Sequence, residues 1–138
     1  MRAPVSDPPC AGSHAWSVSE LDDPRLLAGL ARRELATWMG REHPALPDLQ
    51  LIASELVTNA LLHAHATWIR MSLLPSPGYW ELTVTDPGLT ESVPVPRCPS
   101  VDEKNGRGLW VIDDLTLGYW NTSRSPAGDH IVRAFLPR

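Results

Sequence analysis

The sequence has few cysteines, no long apolar run and no excess of positive charge. Cys10 and Cys98 are its two cysteines, and neither lies in a C-x-x-C pair. A disulfide framework or a thiolate zinc site would need more cysteines. No segment approaches the roughly 20 apolar residues of a transmembrane helix, and the N-terminus lacks the apolar region of a secretory signal. We therefore expect a cytoplasmic protein that makes no contact with a membrane.

The charge balance is acidic. Twelve Lys and Arg residues against sixteen Asp and Glu residues give a formal net charge of −4. A nucleic-acid-binding surface needs a concentrated positive field, so we expect no direct contact with DNA or RNA. The 138 residues, 43% of them hydrophobic, suit one globular domain. Residues 1–12 hold three prolines and are assigned to a flexible tail, and residues 13–138 to the domain.

Apolar periodicity and turn residues predict the element order β-α-α-β-β-loop-α-β-β. Asp23 and Pro24 mark the start of the first helix, as an acidic cap followed by proline at the first helical position. The other predicted elements are a helix from Pro47 to about His65, strands at 68–74 and 79–86, a helix at 108–115, and strands at 117–121 and 130–136. The order predicts an α+β fold, a two-layer sandwich with a mixed, mostly antiparallel sheet and about three helices on one face.

Three polar residues follow one another along the second predicted helix. Glu55, Asn59 and His63 are spaced i, i+4 and i+8 and therefore stack along one side, at the border of the apolar stripe. A carboxylate and an amide at that border could line a pocket. The E-x-x-x-N pattern is short and common, however, and by itself it is better explained by the solvent-facing boundary of an ordinary helix.

The second predicted strand ends in a carboxylate that points inward. Asp86 continues the alternating apolar row of Trp80, Leu82 and Val84, so it should face the helix-covered side of the sheet. Burying a carboxylate there costs free energy unless a hydrogen-bond donor contacts it. Gly88 would let the chain approach a ligand closely. A simple turn explains the Asp-Pro-Gly sequence equally well, but the inward register favours a ligand.

Two glycines lie at the start of the third predicted helix. Gly106 and Gly108 flank Arg107 and precede Leu109. Glycines at a helix start leave the first backbone N–H groups free to face an anion, and the helix dipole favours negative charge there. Arg107 could add a charge-assisted contact to phosphate. A lone G-x-G is a weak signal, and a glycine turn that enters a helix is its more usual meaning.

Taken together and in this order, the segments resemble the GHKL ATP-binding superfamily. The chain is similar in particular to bacterial anti-sigma-factor serine kinases and related histidine-kinase-like ATP-binding regulators. Residues 55–64 (ELVTNALLHA) match the family's N box, residues 84–88 (VTDPG) its first glycine box and residues 106–113 (GRGLWVID) its second. The pattern of residues 118–120 and the final strand are also similar. The likeness spans residues 14–137.

The resemblance implies a role for each matched residue. Asn59 would give an amide oxygen to Mg²⁺, and Asp86 would accept a hydrogen bond from the adenine amino group of ATP. Gly88 would pass beside the base. Gly106, Arg107, Gly108 and Leu109 would form the phosphate-binding turn, and the long loop at 87–106 would be the lid over the phosphates. Glu55 would be the general base for in-line phosphoryl transfer.

The sequence departs from the family pattern in two places. Leu89 and Thr90 replace the stretch around the second glycine of the usual D-x-G-x-G box, which weakens any detailed assignment of the lid. Near the end, family members commonly have lysine or threonine after the glycine, whereas Gly128 is followed here by Asp129 and His130. We therefore assign no nucleotide contact to the last strand.

Two functions remain open. The first is a serine/threonine kinase that phosphorylates an antagonist protein and sequesters a sigma factor, which an intact Glu55 supports. The second is a non-catalytic ATP-binding module that grips a transcription factor. The resemblance also allows a homodimer. A metal site of His63, His65 and Cys98 is disfavoured because the two histidines diverge by about 200° on a helix. A Rossmann site is disfavoured because no third glycine follows Gly108 at the required spacing and because the order of strands and helices is wrong.

Overall fold

A computed structural model describes residues 12–63, 66–88 and 105–138, with backbone alone for His63 and for residues 105–108. The helices in these ranges are α1 (Leu27–Met39), α2 (Leu46–His63) and α3 (Asn105–Leu115). The strands are β1 (Gly12–Ser17), β2 (Trp68–Ser76), β3 (Tyr79–Asp86), β4 (Trp120–Arg124) and β5 (His130–Pro137). They form one sheet in the order β1-β2-β3-β5-β4, and each of these pairings is antiparallel. The predicted α+β sandwich is confirmed.

The first helix begins where its sequence signals predict. The Asp23 carboxylate accepts a hydrogen bond from the backbone N–H of Arg25 at 2.9 Å, which satisfies one of the free donors of a helix start. Pro24 opens a short 3-10 turn that runs directly into α1. Gly40 ends the helix at a φ of 90°, and its N–H donates to the carbonyl of Ala36.

The core lies between the helices and one face of the sheet. Along β3 and β5 every second residue is buried, in two rows that pair across the strands: Trp80 with Leu136, Leu82 with Ala134, Val84 with Val132, and Asp86 with His130. α2 contacts both of these strands and also packs against α1 and α3. Burying one large aliphatic side chain contributes about 1.5–3 kcal/mol, so these rows hold the helix layer firmly on the sheet.

Two element boundaries differ from the sequence prediction. α3 begins at Asn105, three residues before the predicted start at Gly108, so Gly106 lies inside the first turn instead of before it. β4 begins at Trp120 and not at position 117, because Leu117 and Gly118 adopt positive φ values of 56° and 79° after the helix. The Gly118 N–H donates to the carbonyl of Asp113 at 2.7 Å. Left-handed residues in this position end a helix and cannot extend a strand.

None of the helices in the described ranges is long and apolar enough to cross a bilayer. The segment assigned to a flexible tail lies outside the described residues, apart from Gly12, which opens β1.

The strand register makes a prediction about stability. Leu82 is fully buried in β3, whereas Leu74 of the neighbouring β2 is 40% exposed. We expect Leu82→Ala to lower the free energy of unfolding by roughly 2–5 kcal/mol because it leaves a cavity in the core. Leu74→Ala, the matched control, should cost much less. Urea unfolding followed by circular dichroism measures both, and equal losses would contradict the assigned register.

Candidate functional site

A buried carboxylate and a buried imidazole end the apolar rows of β3 and β5. Asp86 and His130 are direct partners in the strand register, and they are 2% and 9% exposed. The His130 Nδ1 lies 3.3 Å from the Asp86 Oδ2, and the Gly88 N–H donates to Oδ1 at 2.8 Å. Each carboxylate oxygen therefore has one protein partner among the described residues. A carboxylate has about four acceptor positions, so this one can still accept a hydrogen bond from a ligand.

Gly88 is tightly enclosed just after the strand. Its φ of 66° is in the left-handed region, where L side chains are disfavoured. A Cβ at this position would collide with the carbonyl oxygen of Gly128 and would approach the guanidinium of Arg124. The Arg124 Nη1 donates to the carbonyls of Gly88 and Gly128 at 3.2 and 3.3 Å. Arg124 therefore ties the end of β3 to the turn that leads into β5, which fixes the backbone beside Asp86.

Helix α2 carries the other polar side chains of the predicted site. Glu55 and Asn59 are one turn apart and partly buried, as expected for a row at the border of the apolar stripe. Burial raises the pKa of Glu55 above its ordinary value because it penalises the charged form. The Nδ2 of Asn59 is buried and has no hydrogen-bond partner among the described residues. Since α2 packs on β3 and β5, this helix lies over the two strands that carry Asp86 and His130.

The predicted phosphate-binding turn is the first turn of α3. Gly106, Arg107 and Gly108 belong to the helix, so their backbone N–H groups are among the unpaired donors of a helix N-terminus. The Arg107 side chain lies outside the described residues. Leu109 is 5% exposed and packs in the core, so only its backbone could reach a ligand. α3 contacts α2, which brings this N-terminal turn into the same helix layer as Asn59.

The unsatisfied polar atoms identify where a ligand would fit. Among the described residues, two buried side-chain nitrogen or oxygen atoms lack a hydrogen-bond partner: the Nδ2 of Asn59 and the Nε2 of His130. An unpaired buried polar atom costs about 1–3 kcal/mol and calls for an explanation such as a ligand. Both atoms belong to the strand and helix surfaces just described. With the remaining acceptor positions of Asp86, these two nitrogen atoms offer hydrogen-bonding groups to a nucleotide. The side-chain oxygens of Glu55 and Asn59 are ligands of the kind that Mg²⁺ prefers.

Sequence reasoning found part of this arrangement and missed part. The inward direction predicted for Asp86 is confirmed. Gly88 lies close to the backbone of Gly128, and its approach to a ligand stays a prediction. The sequence prediction gives His130 no role, although the alternation of Val132, Ala134 and Leu136 places it in the buried row. Arg124 gives no signal in the sequence, because the contact that matters here is with the backbone carbonyl of Gly88, 36 residues away in the chain. Residues 89–104 of the predicted lid at 87–106, and the side chains of the alternative metal site, lie outside the described residues.

The raised pKa of Glu55 predicts a pH-dependent stability. A carboxyl group whose folded pKa exceeds its unfolded pKa stabilises the protein at low pH, and this contribution is lost as pH rises through the folded value. We therefore expect Glu55→Gln to gain stability relative to the wild type as the pH rises from about 4.3, the ordinary glutamate value. Urea unfolding at several pH values measures the difference. Glu42→Gln, at an exposed position, is the matched control, and a difference between Glu55→Gln and the wild type that stays constant with pH would contradict the prediction.

Comparison with known proteins agrees with the geometry. No curated protein shows significant similarity to the chain. The model of one family, described as the histidine kinase-like ATPase domain, matches residues 21–133, well over half of the sequence. The match runs from the segment before α1 into β5 and includes Glu55, Asn59, Asp86 and the start of α3. The chain therefore belongs to the histidine kinase-like ATPase domain family, whose members bind ATP through this fold.

Proposed function

We propose that this ATP-binding domain is a serine/threonine kinase that phosphorylates an antagonist protein and, by binding a sigma factor, controls transcription in the cytoplasm. The observation that carries the proposal is the position of Glu55. It is a half-buried carboxylate, one turn from Asn59, on the helix that packs against β3, the strand of Asp86. Burial raises its pKa, which makes its ionised form a stronger base. A general base works best when its pKa approaches the working pH.

In this proposal each element of the site has one task. Asp86 accepts a hydrogen bond from the adenine amino group, and Gly88 gives the base room beside the backbone. Asn59 holds Mg²⁺ through its amide oxygen, which suits a hard cation that keeps several waters. The first turn of α3, residues Gly106–Leu109, faces the phosphates with its free N–H groups, and Arg107 adds a positive charge.

The proposed chemistry is in-line transfer to a serine or threonine hydroxyl of the antagonist. Glu55 removes the proton of the attacking hydroxyl, and the oxygen forms a bond to the γ-phosphorus as the bond to the ADP oxygen breaks. Such a transfer depends mainly on positioning and charge stabilisation. The placement of one carboxylate on a well-packed helix supplies that positioning. Mg²⁺ held by Asn59 would supply the positive charge that stabilises the phosphate oxygens during transfer.

Adenine recognition by Asp86 predicts a selective thermal shift. Mg-ATP and Mg-ADP should raise the melting temperature of the wild type with the logarithm of ligand concentration over the dissociation constant, and Mg-GTP should not. Asp86→Asn should lose the shift, because an amide nitrogen would replace one of the accepting oxygens. Asp114→Asn, at an exposed position of α3, is the matched control. An adenine shift that survives in Asp86→Asn would refute the assigned base contact.

The catalytic role of Glu55 predicts a separation of transfer from binding. Glu55→Ala should reduce transfer of label from γ-labelled ATP to the antagonist protein by roughly 100- to 10,000-fold, the range typical of general-base catalysis. Its thermal shift with Mg-ATP should stay close to that of the wild type. Glu42→Ala should transfer label normally. Transfer that is unaffected by Glu55→Ala would exclude the catalytic role, and ATP binding without any transfer would favour the non-catalytic module.

A further inference from the structure

His130 is the one polar member of the β5 row that faces the helix layer. Its row partners Val132, Ala134 and Leu136 are buried apolar residues. The site described above uses Asp86 on the neighbouring strand and gives His130 no task. Yet the imidazole is 9% exposed and stands directly beside that carboxylate. A buried histidine in this place needs partners for both of its ring nitrogens.

The contact with Asp86 decides which ring nitrogen carries the proton. An ionised carboxylate only accepts hydrogen bonds, so the His130 Nδ1, 3.3 Å from the Asp86 Oδ2, is the donor. In a neutral imidazole the other nitrogen then bears a lone pair. A second proton on Nε2 would instead leave a charged N–H buried without an acceptor among the described residues, which is the costlier arrangement. In the neutral tautomer with the proton on Nδ1, the Nε2 of His130 is a hydrogen-bond acceptor.

This acceptor has no partner in the described part of the protein. The Nε2 atom is buried, and it lies on the same face of the sheet as the free acceptor positions of Asp86. Two neighbouring acceptors, one anionic and one neutral, are complementary to a group with two hydrogens to donate. An exocyclic amino group on a purine is such a group, whereas a carbonyl at the same place would face two lone pairs.

We propose that His130 is a second base-reading residue, whose Nε2 accepts a hydrogen bond from the 6-amino group of the bound purine while Asp86 accepts the other. The proposal rests on the ATP site assigned to Asp86 above. It assigns to His130 a part of the discrimination between 6-amino and 6-oxo purine nucleotides. Asp86 has two tasks in this arrangement, since it contacts the base and also holds His130 in the accepting tautomer.

The test distinguishes a direct contact between His130 and the purine from an indirect role of His130 in positioning Asp86. His130→Asn keeps an amide N–H near the position of Nδ1 and so retains a donor for Asp86, but it has no atom at Nε2. Calorimetry would measure the affinities of wild type and variant for Mg-ATP and for Mg-purine riboside triphosphate, in which hydrogen replaces the 6-amino group. His14→Asn, an exposed position on β1, is the matched control.

We expect His130→Asn to reduce the preference for ATP over purine riboside triphosphate by roughly three- to tenfold, the effect of one hydrogen bond. The affinity for purine riboside triphosphate itself should not change. An unchanged preference, or an equal loss for both nucleotides, would overturn the proposal while leaving ATP binding intact. A wild type that binds neither nucleotide would instead refute the ATP site and, with it, this contact.

A measurement on the wild type removes any dependence on how the variant folds. The ¹⁵N resonance of the His130 Nε2 should be that of an unprotonated nitrogen in the free protein. ATP should shift it toward a hydrogen-bonded acceptor, and purine riboside triphosphate should leave it in place. A histidine that merely positions Asp86 would show the same Nε2 resonance with both nucleotides. That result, or a protonated Nε2 in the ATP complex, would overturn the proposal.

Discussion

The pairing of β3 with β5 is the constraint on which the site depends. Three core-facing pairs of apolar residues fix the register, and the fourth pair of the same series is Asp86 with His130. A slip of one residue would turn the whole row to the open face, so the hydrophobic effect that fixes the apolar pairs also buries the carboxylate and the imidazole. Their desolvation is offset only in part, by the contact between them and by the Gly88 N–H.

The unpaired polar atoms are the consequence of that arrangement. Asn59 on the helix and His130 on the sheet each keep one buried nitrogen without a partner in the described residues. Apolar side chains of similar size would make a more stable core there. Unsatisfied polar atoms of this kind are what a binding site needs, because a ligand that supplies their partners gains free energy that the protein alone cannot gain. The site therefore lowers the free energy of unfolding of the free protein, and its unpaired atoms are complementary to a nucleotide.

Rigid elements hold the groups assigned to chemistry. Glu55 and Asn59 belong to a helix that packs on two strands and two other helices, so their spacing is that of the helix itself. Arg124 donates hydrogen bonds to the carbonyls of Gly88 and Gly128 and so fixes the backbone next to Asp86. Phosphoryl transfer depends strongly on positioning, and this packing gives the proposed general base a fixed place relative to the nucleotide.

The sequence alone determined the order of helices and strands, the inward direction of Asp86 and the helical row of Glu55 and Asn59, because each follows from a local period of two or of 3.6 residues. It erred at the starts of α3 and β4. The strand begins later than predicted because a left-handed turn lies at Leu117, a non-glycine residue that gives no strong signal of such a turn. Only the tertiary structure placed His130 beside Asp86, 44 residues away in the chain. The pairing of two distant strands is set by the packing of the whole core, and local periodicity carries no information about it.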